Sequence, residues 1–119
     1  MTTYTALIVD DEPDIRELLE ITLTRMGITT LTAPDLTSAR KLLEQNTTHL
    51  CLTDMNLPDG NGIELVQWIQ RHSPATPVAV ITAYGNMDTA IESLKAGAFD
   101  FVSKPVELPR LRELVNSAL

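Results

Sequence analysis

The chain has 119 residues, 44% of them hydrophobic, and a net charge of −7 from 9 Lys and Arg against 16 Asp and Glu. This length and composition predict one globular domain, residues 1–119. The acidic balance excludes an electrostatic surface for nucleic acid, so any DNA binding would need another part of the protein. The apolar runs are too short for a membrane span, and Met1-Thr2-Thr3-Tyr4 lacks the positive charge of a signal peptide.

The single cysteine, Cys51, lies in the apolar run His49-Leu50-Cys51-Leu52. One cysteine cannot form an internal disulfide, and apolar neighbours favour a buried, inert thiol. We therefore expect a reducing, cytoplasmic location.

Five short apolar runs alternate along the chain with five longer segments of helical periodicity. The runs that we predict to be strands are residues 5–9, 28–32, 50–53, 78–81 and 99–102. Such runs are typical of parallel strands that are covered on both faces. The alternation predicts a doubly wound α/β fold without a repeat or a linker.

Each helical segment has an apolar stripe and local signals at its ends. Pro13 suits the first turn of the first helix, Gly27 its end, and Asp35 the N-cap of the second helix. The residues expected to face the sheet are Ile15, Leu18, Leu19, Leu23 and Met26 in the first helix, Leu36, Ala39 and Leu43 in the second, Leu65, Val66 and Ile69 in the third, Met87, Ala90, Ile91 and Leu94 in the fourth, and Leu108, Leu111, Leu114, Val115 and Ala118 in the last.

Polar side chains follow four of the five predicted strands. Asp10 and Asp11 follow the first strand, Asp54 the third, Thr82 the fourth and Lys104 the fifth. Any one of them alone has an ordinary interpretation, because Asp after a strand is commonly a turn former or helix cap. Together they are more specific, because ligands of open parallel sheets bind beyond the carboxyl ends of the strands.

Adjacency of the first and third strands would bring Asp10, Asp11 and Asp54 together at a spacing of about 5 Å. At an effective dielectric near 20, each like-charge pair would then cost roughly 3 kcal/mol. A hard divalent cation such as Mg²⁺, with oxygen ligands, would compensate this charge. With Lys104 and Thr82 close by, the group suits phosphoryl transfer to an Asp carboxylate.

The segments IVDDEPD, LTDMNLPDGNG, VITAYG and AFDFVSKP resemble, in order, the four signature segments of bacterial two-component response-regulator receiver domains. The stretch ITAYGNMDTAIESLKAGAFDF is similar to the receivers of enhancer-binding transcription activators, those of type IV pilus regulators most of all. The resemblance covers the whole chain. It implies a five-stranded parallel sheet of order 2-1-3-4-5, a flavodoxin-like (βα)5 fold in which the first and third strands are neighbours.

The resemblance also implies a function and partners. The chain would be a phosphorylation-activated signalling switch rather than a conventional enzyme, although it would catalyse its own phosphorylation and slow dephosphorylation. A partner sensor histidine kinase would donate the phosphoryl group from a phosphohistidine. The output, transcription activation, would lie in other domains, and the face of the last helices and strand is a candidate homodimer surface.

Individual roles carry over onto matching positions. Asp54 corresponds to the phosphoacceptor and a metal ligand, Asp11 to the direct metal-binding acid, and Asp10 to a neighbour that acts through water. The backbone carbonyl of Asn56 would complete the Mg²⁺ site.

The other matching positions belong to the switch. Thr82 resembles the switch hydroxyl and Lys104 the phosphoryl-binding lysine. The Lys104–Pro105 peptide bond would be cis, as in the family. Phe101 occupies the switch aromatic position, where many relatives have Tyr, so no hydrogen bond from the ring is available.

Two other classes of protein share parts of this pattern. An aspartate-nucleophile phosphatase would usually carry a DxD motif after the first strand and an inserted cap, whereas Asp10 and Asp11 are adjacent and the chain has no room for a cap. A flavin-binding electron carrier would need a hydroxyl- and Gly-rich phosphate loop there, and Asp10-Asp11-Glu12 would repel a phosphate. Rapid turnover of a phosphate ester or a coloured protein would favour these alternatives.

Overall fold

A five-stranded parallel sheet organises the chain. The computed structural model describes residues 3–83 and 85–119; Met1, Thr2 and Tyr84, the last from the VITAYG segment, lie outside the described residues. The sheet strands are β1 (Thr5–Val9), β2 (Thr29–Ala33), β3 (Leu50–Asp54), β4 (Val78–Thr82) and β5 (Asp100–Ser103). Their order is β2-β1-β3-β4-β5 and all neighbours are parallel, which confirms the predicted topology.

Helices cover both faces of the sheet, because alternate residues of each strand point to opposite sides. The helices are α1 (Pro13–Arg25), α2 (Leu36–Gln45), α3 (Gly62–His72), α4 (Met87–Ala96) and α5 (Leu108–Ala118). Leu7 and Val9 of β1 pack in a buried cluster with residues of α2 and α3. Ala6 and Ile8 pack in another with residues of α1 and α5. The doubly wound arrangement is therefore confirmed.

The local signals at the helix ends are also confirmed. Pro13 is in the first turn of α1, and Gly27 follows its end with φ +82°. The Asp35 side chain caps α2, since its Oδ1 accepts a hydrogen bond of 2.8 Å from the backbone N–H of Ser38. Cys51 is fully buried, and this burial raises the pKa of its thiol to about 12, as expected for an inert side chain.

Four strands differ from the prediction at six boundaries, each by one residue. Two of these changes matter for the site, because β3 includes Asp54 and β4 includes Thr82. Asp54 still pairs with Ile81, and Thr82 with Ser103, so the sheet continues through both positions. Both site residues therefore stand on the rigid sheet rather than on a loop.

The predicted inward stripe of α4 is confirmed for Ala90 and wrong for its other three residues. Met87, Ile91 and Leu94 are 52%, 45% and 39% exposed, and the buried residues are Ala90 and Ser93. The Ser93 hydroxyl donates a 2.7 Å hydrogen bond to the Ala90 carbonyl, so this buried polar group has a partner. Small inner residues let the helix lie close to its neighbours, which leaves the larger side chains outside.

Leu18 of α1 is likewise 42% exposed rather than packed against the sheet. None of the helices in the described part of the chain is both long and apolar enough to cross a membrane.

Candidate functional site

Four carboxylates meet where β1 and β3 end. Because these strands pair, with Val9 opposite Thr53, the residues that follow them emerge side by side. One oxygen each from Asp10, Asp11, Glu12 and Asp54 lies within 4.8 Å of the others. We call these four residues the carboxylate cluster. Asp10 and Asp54 are buried, whereas Asp11 and Glu12 are exposed, so the cluster has a buried floor and an open side.

Asp10 is the most enclosed member of the carboxylate cluster. Its Oδ1 accepts a 2.9 Å hydrogen bond from the backbone N–H of Glu12. Its Oδ2 is buried and has no hydrogen-bond partner among residues 3–83 and 85–119. Burial raises the pKa of Asp10 to about 6, the bond from Glu12 opposes the shift, and the charge of Asp54 adds to it. Such an oxygen needs a proton or a cation as its partner.

Asp54 lies at the carboxyl end of β3 and is 4% exposed. The backbone N–H of Met55 donates a 2.9 Å hydrogen bond to its Oδ1, and Lys104 Nζ lies 3.3 Å from the same oxygen. Burial raises the pKa of Asp54, while Lys104 and the Met55 bond lower it without cancelling the increase. The carboxylate is thus held in one orientation beside the Lys104 ammonium.

Lys104 reaches the carboxylate cluster from β5, two strands away from β3. Its backbone N–H donates to the Thr82 carbonyl at 2.8 Å, which extends the ladder between β4 and β5. Its Nζ lies between Asp54 and Glu12 Oε1, the latter at 3.5 Å. Partial burial lowers the pKa of the ammonium, but the charge of Asp54 and its neighbours outweighs this effect and the pKa is raised. Lys104 therefore stays charged at neutral pH. The Lys104–Pro105 peptide bond is cis.

The donors present fit Mg²⁺. They are all oxygens, and four carboxylates against one lysine leave an excess of negative charge. The buried Asp10 Oδ2 offers a lone pair that protein groups of the described chain do not use. Asn56 follows Asp54 closely, at the start of a short antiparallel hairpin in which Asn56–Leu57 pairs with Gly60–Asn61. We call residues 56–61 the site hairpin.

Thr82 is the last residue of β4 and follows Ile81, the partner of Asp54. Phe101, in contrast, lies on the edge strand β5 and pairs with Val80. The Thr82 hydroxyl is fully buried and lacks a hydrogen-bond partner within the described part of the chain. Leaving a buried hydroxyl unpaired costs roughly 1–3 kcal/mol. Phe101 is half-buried beside an open groove of about 400 Å³, whose described lining residues include Pro105 and Arg110 but none of the four carboxylates.

Two residues that were not predicted from the sequence, Glu12 and Asp59, also lie in this region. Glu12 pairs with Lys104, and its position directly after Asp10 and Asp11 was a signal that could have suggested it. Asp59, in the turn of the site hairpin, accepts hydrogen bonds from the start of α2. No sequence pattern predicts that contact, because the partners are 22 and 23 residues apart.

A parallel sheet of this order, with carboxylates at the ends of β1 and β3 and a lysine after β5, defines a doubly wound α/β domain with an acidic site at the carboxyl edge of its sheet. The family model described as the response regulator receiver domain matches residues 6–116. The chain belongs to this family.

Individual relatives agree with this assignment. The chain is 65% identical over 119 residues to the response regulator protein PilR of Pseudomonas aeruginosa, covering 100% of this chain and 27% of PilR. It is 36% identical over 113 residues to the regulatory protein AtoC of Escherichia coli, covering 95% of this chain and 24% of AtoC. The chain thus spans about a quarter of the length of these curated relatives.

Solved structures show the same architecture. The receiver domain of NtrX from Brucella abortus superposes with a TM-score of 0.91 at 35% identity, covering 96% of this chain and 97% of that one. The receiver domain of NtrC4, described as a beryllofluoride-activated dimer, gives a TM-score of 0.90 at 33% identity and covers 96% of this chain and 94% of its own.

Proposed function

We propose that Asp54 accepts a phosphoryl group from the phosphohistidine of a partner sensor histidine kinase. We further propose that residues 1–119 form a single receiver domain and that phosphorylation changes its conformation. The observation that carries the proposal is the buried Asp54 carboxylate, 3.3 Å from Lys104 Nζ and inside the carboxylate cluster. A nucleophile, a cation and a set of oxygen ligands at one point are what phosphoryl transfer to a carboxylate needs.

In the proposed reaction an Asp54 carboxylate oxygen attacks phosphorus. The new bond is the oxygen–phosphorus bond of an aspartyl phosphate, the nitrogen–phosphorus bond of the phosphohistidine breaks, and the imidazole leaves with its electron pair. Lys104 holds negative charge on the phosphoryl oxygens. Asp11, Asp54 and the Asn56 carbonyl would hold Mg²⁺ directly and Asp10 through water. Mg²⁺, when bound, neutralises the phosphoryl oxygens.

The proposed switch uses Thr82 and Phe101. Phosphorylation adds nearly two negative charges and three strong acceptors at Asp54. The Thr82 hydroxyl, which lacks a partner in the described chain, would donate to one of these oxygens. The Phe101 ring would then turn toward the space that Thr82 leaves. Moving an equilibrium from 1:99 to 99:1 needs about 5.5 kcal/mol. A charge-assisted hydrogen bond supplies about 1.5–3 kcal/mol, so Lys104 and the metal must share the task.

The output belongs to the same proposal. The most similar of these relatives is PilR, and we propose regulation of type IV pilus transcription through output domains outside these 119 residues, which alone would bind DNA. We also propose that phosphorylation favours a homodimer through α4, β5 and α5, where Met87, Ile91 and Leu94 are exposed. A cytoplasmic location would keep the lone thiol of Cys51 reduced.

Beryllofluoride with Mg²⁺ tests the phosphoacceptor assignment, because it imitates an aspartyl phosphate. We expect backbone amide chemical-shift changes centred on Asp54, Thr82 and Phe101. Asp54→Ala should abolish them. Asp14→Ala, which removes an exposed carboxylate from the first turn of α1, should leave them intact. Unchanged wild-type spectra would show the assignment to be wrong, and rapid turnover of a phosphate ester would favour a phosphatase.

A further inference from the structure

We propose that Asp59 is a positioning residue for the metal site, because it fastens the site hairpin to the start of α2. The inference rests on the proposed function, in which the Asn56 carbonyl of that hairpin is a metal ligand. Asp59 Oδ1 accepts a 2.8 Å hydrogen bond from the backbone N–H of Leu36. Its Oδ2 accepts from the backbone N–H of Thr37 at 3.0 Å and from the Thr37 hydroxyl at 2.8 Å.

The start of α2 needs the acceptors that Asp59 provides. The first N–H groups of a helix have no partner within the helix. Asp35, the local cap, satisfies only the N–H of Ser38, and the first turn of α2 has no acidic side chain of its own. The carboxylate of Asp59 accepts hydrogen bonds from the backbone N–H groups of Leu36 and Thr37, which Asp35 leaves without a partner. The bond from Leu36, with the bonds from Thr37, lowers the pKa of Asp59, so it stays ionised and keeps accepting at neutral pH.

Close packing holds the same turn against α2. A side chain at Gly60 would collide with the Leu36 Cδ1 methyl and with the Glu64 carboxylate. Leu36 is 2% exposed and belongs to the buried cluster beneath α2, so it cannot easily give way. Only a glycine lets the backbone of the hairpin turn lie this near the helix.

The other end of the site hairpin is fixed to the phosphoacceptor strand. The backbone N–H of Gly62 donates to the Met55 carbonyl at 2.9 Å, and a Cβ at Gly62 would stand 2.7 Å from the Asp54 carbonyl oxygen. Asn61 caps α3, since its Oδ1 accepts from the Glu64 N–H at 3.0 Å. The hairpin is thus held at its base by β3 and α3, and at its turn by Asp59.

This arrangement determines where the Asn56 carbonyl points. Asn56 is paired with Asn61 across the hairpin and lies three residues before Asp59. Without the Asp59 hydrogen bonds, the hairpin would pivot on its base and the direction of the Asn56 carbonyl would vary. Mg²⁺ requires ligands in a nearly ideal octahedral arrangement, so many of these directions would not suit it. Loss of a residue that orients a metal ligand typically weakens metal affinity by about 10–100-fold.

Mg²⁺ binding to the metal-free protein tests this role, with amide chemical shifts as the readout and melting temperature as the measure of stability. We expect Asp59→Ala to weaken Mg²⁺ affinity about tenfold. Asp59→Asn should be intermediate, because its amide oxygen can still accept from Leu36 but its NH₂ group cannot accept from Thr37. Asp35→Ala is the matched control, since it removes one negative charge and one cap from the same helix end while it leaves the site hairpin fastened.

The outcomes separate the two proposals. Two results together support the positioning role. Asp59→Ala binds Mg²⁺ more weakly than the wild type, whereas Asp35→Ala binds Mg²⁺ as tightly as the wild type but melts at a lower temperature. Equal Mg²⁺ affinity in wild type and Asp59→Ala, or equal losses in Asp59→Ala and Asp35→Ala, overturns the positioning role and leaves the proposed function intact. A wild type that does not bind Mg²⁺ overturns the proposed function, and the positioning role with it. If Asp59→Ala does not fold, Asp59→Asn decides by the same criteria.

Discussion

Replacing Asp10 by Asn should stabilise the metal-free protein. Asn has the same shape as Asp, and its amide oxygen can keep the hydrogen bond from the Glu12 N–H. The neutral NH₂ group takes the place of Oδ2, the buried oxygen that has no partner among the residues that the structure describes. The substitution therefore removes the buried charge and leaves the local turn intact.

The pKa of Asp10 gives the size of the effect. Burial, with the Asp54 charge, raises this pKa from 3.8 to about 6. Each pKa unit corresponds to about 1.36 kcal/mol, so the ionised carboxylate costs at most roughly 3 kcal/mol. Solvent at the open side of the carboxylate cluster screens part of this charge, which leaves about 1–3 kcal/mol. For a domain of this size each kcal/mol changes the melting temperature by about 4 °C, so we expect an increase of about 4–12 °C.

The sign of the pH dependence follows from the raised pKa. Between about pH 4 and pH 6 the folded state binds more protons at Asp10 than the unfolded state, so wild-type stability falls as pH rises through this window. The advantage of Asp10→Asn is therefore full above about pH 6 and disappears below about pH 4. Thermal melts followed by circular dichroism in EDTA, from pH 4 to pH 7, measure it.

The control is Asp11→Asn, which removes a charge from the same carboxylate cluster but at an exposed position. It should raise the melting temperature at pH 7 by less than Asp10→Asn. If Asp10→Asn melts at or below the wild-type temperature at pH 7, or if its advantage persists unchanged at pH 4, the reasoning from burial is refuted.

Two further substitutions test the proposed dimer surface and the base of the site hairpin. Ile91→Asp should prevent dimerisation in beryllofluoride and Mg²⁺, measured by sedimentation velocity, whereas Leu18→Asp, at a similarly exposed apolar position on α1, should not. A dimer that survives Ile91→Asp would place the interface elsewhere. Gly62→Ala should cost about 1–3 kcal/mol in urea denaturation, because its Cβ would press on the Asp54 carbonyl oxygen. Unchanged stability would mean that the hairpin base yields easily.

Much of the fold could be predicted because strand alternation and helix caps are local properties of the sequence. The order of the sheet came from the family resemblance. The strand ends shifted by one residue because pairing with a neighbouring strand, which continues through Asp54 and Thr82, decides where a strand stops. The α4 stripe was correct at Ala90 but wrong at Met87, Ile91 and Leu94, because periodicity does not show that small residues such as Ala90 and Ser93 make the inner contact.

The candidate site was predictable to the extent that strand order determines it. Parallel strands bring their carboxyl ends to one edge, so Asp10, Asp11 and Asp54 had to converge once β1 and β3 were neighbours. The contacts of Glu12 with Lys104 and of Asp59 with α2 depend on side-chain conformations and on the path of the site hairpin. Neither property has a period or a fixed spacing in the sequence.

The unequal burial of the carboxylate cluster links stability to metal binding. The metal-free folded state contains an ionised Asp10 whose pKa burial has raised, and this charge lowers the free energy of unfolding at neutral pH. A cation that binds only the folded state stabilises it, and part of that gain is relief of the same buried charge. Asp10→Asn removes both the destabilising buried charge and the stabilisation that a cation would provide by compensating it. A variant that melts higher without Mg²⁺ should therefore gain less from Mg²⁺ than the wild type does.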